Sequence, residues 1–156
     1  MGTRSTIAMK TPEGKVRAIY CHWDGYVSNN GKILLENYTT PAKVKALIDL
    51  GDISSLKPEI GEQHTFEKHQ EQPELAAMFD NWTLAYCRDR GEPWTNTAPQ
   101  TFDTIGEWAD DFDMGVEYIY LFDGKDWIFG SQGVKDANGF QVMSFLETAV
   151  TAEAVA

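Results

Sequence analysis

The chain has 156 residues, 42% of them hydrophobic, and a formal net charge of −11. This length predicts one domain whose core needs no disulfide or metal for support. No run of 18 apolar residues occurs, which excludes a membrane-spanning helix, and the N-terminal residues lack the apolar segment that signal peptides carry.

The first half of the chain is predicted to form a β-hairpin followed by two helices. Between the two strands, Thr11-Pro12-Glu13-Gly14 has proline early and glycine late, as a tight turn prefers. Thr40 and Pro41 fit the N-cap and first residue of the second helix, and Gly51 is placed to end it. The predicted elements are strands over 5–10 and 15–23, a loop over 24–30, helices over 31–38 and 41–50, and a long polar loop over 52–73.

The second half is predicted to alternate between strands and helices. Asp123-Gly124, between two apolar runs, is the strongest hairpin signal in the chain. Apolar residues at helical spacing predict a helix over 102–112 and a final helix from Gln141. The other predicted elements are a short helix near 75–79, strands over 82–88, 116–122 and 127–129, and a loop over 89–100.

The order of these elements predicts the fold class. Both hairpin connections are short, so their strands must pair antiparallel. We therefore expect an α+β protein: a single domain over residues 1–150, with a mostly antiparallel sheet of about five strands and helices packed on it. Residues 151–156 are expected to fray. The two cysteines, Cys21 and Cys87, are expected to be reduced thiols in a cytosol.

The sequence contains no complete catalytic or cofactor motif. There is no glycine-rich phosphate loop, and His64, Glu67 and His69 lack the further ligands of a zinc site. Cys21 and His22 are neighbours in a predicted strand, so their side chains point to opposite faces and cannot form a nucleophile–base pair. These absences favour a non-enzymatic protein with no catalytic residue, no metal and no cofactor.

The stretch CHWDGY, residues 21–26, is the first candidate site. Asp24 and Gly25 suit a turn, and Trp23 and Tyr26 can pack the following loop onto the sheet, but the turn does not require His22. Arg88 and Arg90 carry guanidinium groups, which bind phosphate or carboxylate but suit an internal salt bridge equally well. A binder of a small nucleotide-like ligand, or an enzyme acting on one with Asp24 as base, is therefore an alternative reading. The candidate ligand-binding residues are His22, Trp23, Asp24, Tyr26, Arg88 and Arg90.

Aromatic residues are predicted to share sheet faces, because side chains alternate along a strand. If these faces coincide, they form either a binding surface or a core, and the sequence allows both. The sets that share a face are Tyr20 with His22, Trp82 with Tyr86 and Arg88, and Tyr118 with Tyr120 and Phe122.

The second candidate site is an acidic surface. Residues 79–156 hold 4 basic and 14 acidic side chains, whereas residues 1–78 hold 9 and 10. This excess of negative charge disfavours direct binding of nucleic acid. It could attract a protein with a basic surface, or it could simply keep the protein soluble. The candidate residues are Asp103, Glu107, Asp110, Asp111, Asp113 and Glu117.

Five strings of the sequence stand out: TRSTI at 3–7, YCHWDGY at 20–26, GKILLENY at 31–38, LIDLGDISSL at 47–56 and AYCRDRGE at 85–92. With these strings the chain resembles a family of small uncharacterised proteins encoded by phages and prophages. The resemblance implies a viral origin and the cytoplasm of a bacterial host, and it carries no established activity. We therefore expect an accessory protein that binds a host or phage protein, of the host-interaction or anti-defence type; a virion-associated structural protein is a further alternative.

Overall fold

The computed structural model of the protein describes residues 3–64, 74, 78, 80–112, 116–131 and 144–146, and for residues 110–112, 144 and 145 it describes the backbone alone. A short π-helical turn (Val27–Gly31) leads directly into the first α-helix. The remaining elements are β1 (Ser5–Lys10), β2 (Val16–Cys21), α1 (Lys32–Asn37), α2 (Pro41–Ile48), β3 (Ile53–Ser55), β4 (Leu84–Ala85), α3 (Tyr86–Arg90), α4 (Trp94–Thr97), β5 (Gln100–Phe102), α5 (Ile105–Phe112), β6 (Tyr118–Phe122), β7 (Trp127–Ser131) and β8 (Ser144–Phe145).

All the described strands belong to one mixed sheet. Its order is β4-β3-β2-β1-β6-β7-β8, and β5 pairs with β2 on the edge that β3 also uses. Two pairs, β1–β6 and β2–β3, are parallel, and the other pairs are antiparallel. The α+β class with a mostly antiparallel sheet is confirmed. The sheet exceeds the expected five strands because β3, β5 and β8 have only two or three residues, too few to leave a pattern.

Both predicted hairpins are confirmed. In the β1–β2 turn, the Thr11 amide donates to the Lys15 carbonyl at 2.9 Å, and Gly14 has a φ of +81° that a side chain would disfavour. In the β6–β7 turn, Asp123 Oδ1 accepts hydrogen bonds from the amides of Lys125 and Asp126. Local turn chemistry fixes these two connections.

Helices pack on both faces of the sheet. Ile7, Ile19 and Cys21 point to the face covered by α1 and α2, whereas Ala8 and Ala18 point to the face covered by α5. The side chain of Trp108, fully buried, fills the space above these alanines. None of the described helices is long and apolar enough to cross a membrane.

The strand predicted over 82–88 is wrong beyond residue 85. Only Leu84–Ala85 is a strand, and α3 begins at Tyr86 because Asp89 Oδ2 accepts the Ala85 amide at 2.7 Å and so closes the first helical turn. Tyr86 and Arg88 therefore do not share a strand face with Trp82.

Three other predictions differ from the structure. The loop predicted over 52–73 contains β3, and the loop predicted over 89–100 contains α4 and the start of β5. The final helix is wrong at residues 144–145, which form β8 and pair with Ile128 and Phe129 of β7. The rest of that helix, most of the one near 75–79 and the tail over 151–156 lie outside the described residues.

Candidate functional site

The backbone at residues 22–25 forms a fixed corner. After β2, the amides of His22 and Trp23 donate to the carbonyls of Ile53 and Ser54 at 3.2 and 3.0 Å, so the chain continues beside β3. Asp24 then takes a left-handed conformation with φ +54°. These contacts end the strand and turn the chain toward α1.

Gly25 connects this corner to the sheet through two backbone hydrogen bonds. Its amide donates to the Thr3 carbonyl at 2.7 Å, and its carbonyl accepts a hydrogen bond from Tyr120 Oη at 2.5 Å. A Cβ on Gly25 would lie 2.7 Å from Ser5 Cβ, closer than real Cβ contacts allow. Only glycine fits here, which explains its place between Asp24 and Tyr26.

The side chains of Trp23 and Tyr26 extend from this corner into solvent. Trp23 is 43% exposed and Tyr26 is 40% exposed, although both are large and partly apolar. The sequence predicted that they would pack the loop onto the sheet. Instead buried Asn30 does so, because its Nδ2 donates to Ser5 Oγ at 3.2 Å and to Cys21 Sγ at 3.3 Å.

His22 belongs to a polar cluster on the sheet face that α5 covers only in part. Its Nδ1 lies 2.7 Å from Tyr20 Oη, and its ring meets the Trp23 ring edge-on with centroids 4.7 Å apart. Burial raises the pKa of the Tyr20 phenol, and the nearby Arg4 guanidinium opposes that rise through its charge and a side-chain hydrogen bond. Arg4 is therefore a member of the cluster.

Two residues of α3 lie near this cluster. Burial raises the pKa of the Tyr86 phenol, a Ser54 hydrogen bond and the Arg90 charge oppose the rise, and the Arg90 guanidinium lies 5.4 Å from the Tyr86 ring centroid. The Tyr86 phenol also contributes to the raised pKa of Tyr20. Tyr86 therefore lies near Tyr20, although it belongs to a helix and not to the predicted strand.

Arg88 is not part of this surface. Its Nε donates to Asp89 Oδ1 at 2.9 Å and its Nη2 donates to the Thr83 carbonyl at 2.8 Å, while its Nη1 lies 3.3 Å from the Gly61 carbonyl. The internal salt bridge, one of the two readings of this arginine, is the one observed. These contacts occupy the Arg88 guanidinium, so they give no support to a pocket that pairs it with Arg90.

The Tyr118, Tyr120 and Phe122 face is core. Tyr120 and Phe122 are fully buried, and Tyr120 stacks on Tyr118 and Phe129. This face packs with α1 and α2. The possibility that it forms part of a binding surface is excluded.

The candidate acidic residues have different environments. Asp103 is exposed and its Oδ1 lies 3.4 Å from Lys15 Nζ. Glu107 Oε2 accepts the Asp103 amide at 3.2 Å at the start of α5, and Glu117 Oε2 accepts the Arg4 amide at 2.6 Å. The side chains of Asp110 and Asp111, and all of Asp113, lie outside the described residues. The Asp103 side chain remains 73% exposed despite its pair with Lys15.

Asp52 holds the backbone of Tyr20 at the edge of β2. Its Oδ1 accepts the Tyr20 amide at 2.9 Å, in the gap that β3 and β5 leave on the edge of β2. Burial raises its pKa to about 6, against the opposing effect of this hydrogen bond. The sequence placed Asp52 in a loop and gave it no role.

Arg4 was also missed. The β1–β2 ladder ends at the pair of Ser5 with Cys21, and Arg4 lies beyond it. The strand pattern therefore gave no signal that Arg4 would lie near Tyr20.

The chain matches no protein-family model, no curated protein and no solved structure. Among the described residues, no three histidine, cysteine or carboxylate side chains lie close enough together to hold a metal ion. The geometry of the corner therefore carries the functional argument.

Cys21 is expected to resist alkylation in the native protein. It is fully buried, and burial raises its pKa to about 11 despite the Asn30 hydrogen bond, so almost no thiolate forms at about pH 8. Iodoacetamide followed by peptide mass spectrometry should label Cys87, which is partly exposed, and leave Cys21 unmodified. Guanidinium-unfolded protein, with both thiols labelled, is the control. Equal labelling of both in the native state would contradict the buried position.

Proposed function

We propose that the protein is a non-enzymatic accessory protein of a phage or prophage that binds a partner protein in the host cytoplasm. The viral origin rests on the sequence resemblance. The carrying observation for binding is that Trp23 and Tyr26 are each at least 40% exposed on a corner whose backbone amides at residues 22, 23 and 25 donate hydrogen bonds to neighbouring segments. Tryptophan, tyrosine and arginine dominate the binding energy of protein interfaces.

The rigidity of the corner supports this role. Ordering a flexible loop on binding costs free energy, and a loop already held by the Thr3, Asn30 and Tyr120 contacts avoids that cost. Two exposed aromatic side chains on such a backbone can enter a partner's pockets with little rearrangement. His22, whose ring contacts that of Trp23, supplies a polar border of the kind that interfaces have.

Catalysis has less support at this corner. Cys21 is buried and protonated at neutral pH, so it cannot act as a nucleophile. Asp24 is exposed at the turn, where its carbonyl accepts from Asn29 Nδ2 at 3.0 Å.

The acidic surface is the second candidate for the partner contact. Between residues 103 and 126 the sequence has eight carboxylates and one lysine, and the Asp103 side chain is 73% exposed. Such charge raises association rates with a basic partner and makes binding depend on salt. It would then supplement the aromatic corner or replace it.

Affinity capture with matched variants separates the two surfaces. Tagged wild-type protein, a Trp23→Ser, Tyr26→Ser variant and an Asp103→Asn, Asp110→Asn, Asp111→Asn variant are exposed to the same host lysate, and eluates are compared by mass spectrometry. We expect one stoichiometric partner that the aromatic variant loses and the acidic variant keeps. Circular dichroism confirms that both variants fold.

The reverse pattern would assign binding to the acidic surface. In that case capture by the wild type should also fall steeply as salt rises, because exposed charges are screened beyond about 8 Å at physiological ionic strength. Recovery of the bait alone from infected and uninfected cells would refute the binding function.

A further inference from the structure

A cleft of about 330 Å³ lies between the turn end of the β1–β2 hairpin and the first two turns of α2. Its strand side is formed by Met9, which packs against the core under α1 and α2, and by Arg17, the cross-strand partner of Met9. Pro41 and Ala42 line its helix side. The larger apolar side chains of α2 point into the core, and the short proline and alanine leave this space open.

Two cations line the cleft and share one carboxylate. Arg17 Nη1 donates to Asp49 Oδ1, and Lys45 Nζ donates to Asp49 Oδ2 at 2.9 Å. Within the described part of the chain, neither cation has another ion pair. One negative charge between two positive charges leaves a surplus of one positive charge. The guanidinium and the ammonium also carry more N–H donors than their contacts with Asp49 use.

We infer that this cleft binds a small molecule with an apolar body and a single carboxylate. The apolar body packs on Met9, Pro12 and Ala42, where it leaves water. The carboxylate accepts charge-assisted hydrogen bonds from Arg17 and Lys45, as the Asp49 carboxylate already does. Ligand pockets span about 300–1,000 Å³, so a cleft of this volume takes a ligand at the small end of that range.

The charge at the cleft favours a carboxylate over a phosphate. A carboxylate carries one negative charge and balances the surplus that Asp49 leaves. A phosphate group carries about −1.5 to −2 at pH 7, and the excess would lie beside Asp49. The net charge of −11 does not prevent anion binding here, because residues 1–78 hold 9 basic and 10 acidic side chains and charges beyond about 8 Å are largely screened.

The cleft is separate from the corner that carries Trp23 and Tyr26. The cleft lies at the turn end of the hairpin, whereas the corner follows the other end of β2. Arg17 and His22 are five residues apart, which corresponds to about 16 Å along an extended strand. The ligand site therefore goes beyond the proposed partner binding and does not depend on it.

Titration of the full-length protein with sodium octanoate tests the cleft, by calorimetry and by NMR. 1-Octanol lacks the charge of this probe, and sodium acetate lacks its apolar body. We expect saturable octanoate binding that shifts the methyl signals of Met9 and Ala42. 1-Octanol should bind at least tenfold more weakly, and acetate should give no saturable shift. Equal affinity for octanoate and 1-octanol, or no saturable binding of octanoate, would overturn the site.

Two variants change the surplus charge in opposite directions. Lys45→Gln removes one cation and is expected to weaken octanoate binding at least fivefold. Asp49→Asn removes the competing carboxylate and is expected to strengthen it at least fivefold, a gain that a misfolded protein cannot produce. Lys32→Gln, at an exposed lysine of α1, is the control and should change the affinity less than twofold. Changes of the same sign in the first two variants would contradict the assigned roles.

A third variant closes the cleft. Ala42 is exposed on α2, so Ala42→Phe should keep the fold while its ring occupies the space of the ligand. We expect this variant to lose octanoate binding and to keep the captured protein partner, whereas Trp23→Ser, Tyr26→Ser should show the opposite pattern. Octanoate bound by Ala42→Phe with wild-type affinity would place the ligand elsewhere and overturn the site.

Discussion

Asp89→Ala is expected to lower the free energy of unfolding by about 3–5 kcal/mol, because it leaves a buried charge and two amides without their acceptor. The Asp89 carboxylate is fully buried. Its Oδ1 accepts from the His64 amide at 3.0 Å and from Arg88 Nε at 2.9 Å, and its Oδ2 accepts from the Ala85 amide at 2.7 Å. One side chain thus joins β4, α3 and the segment at Gly61–His64.

Urea denaturation followed by circular dichroism measures this loss. Glu36→Ala is the matched control, since Glu36 is an exposed carboxylate on α1, and its removal should change the stability by less than about 0.5 kcal/mol. A loss at Asp89 as small as that of the control would show that the carboxylate does not hold these elements together.

Trp108→Ala is expected to cost about 3–5 kcal/mol, the range for removing a large aromatic side chain from a core. Trp108 is fully buried in the cluster with Ala8, Val16 and Ala18, and these small neighbours cannot fill the cavity it would leave. Its Nε1 also donates to Thr6 Oγ1 at 3.2 Å. The indole is the main contact that holds α5 on the sheet.

Thermal and urea unfolding of Trp108→Ala and Trp108→Phe test this contact. Trp108→Phe keeps most of the volume but loses the hydrogen bond to buried Thr6, so we expect a cost of about 1–3 kcal/mol. If Trp108→Ala were no less stable than Trp108→Phe, the packing of α5 on this face would be refuted.

The sequence was most informative where structure depends on neighbouring residues. Thr40 accepts the Lys43 amide and Pro41 begins α2, as predicted, because N-caps and helix-start prolines act within one turn. The Asp123-Gly124 hairpin followed from the same kind of local rule. Alternation also placed Tyr20 and His22 on one face of β2.

The sequence failed where a distant contact decides the conformation. β3 and β5 exist because β2 supplies hydrogen bonds, and segments of three residues have no periodicity of their own. Such elements cannot be read from composition. Residues 86–90 are a separate case, because the contact that starts their helix is local: Asp89 accepts the amide of Ala85, four residues earlier.

The sequence by itself determined the α+β class, both hairpins, the first two helices and the corner at residues 22–26. These depend on turn chemistry, capping and side-chain alternation, which act over a few residues. Only the tertiary structure decided that Arg88 is internal, that Arg4 lies near Tyr20, and that Trp23 and Tyr26 are exposed while Tyr120 is buried. Those outcomes depend on which segments meet across the sheet, and long-range pairing is set by the packing of the whole chain.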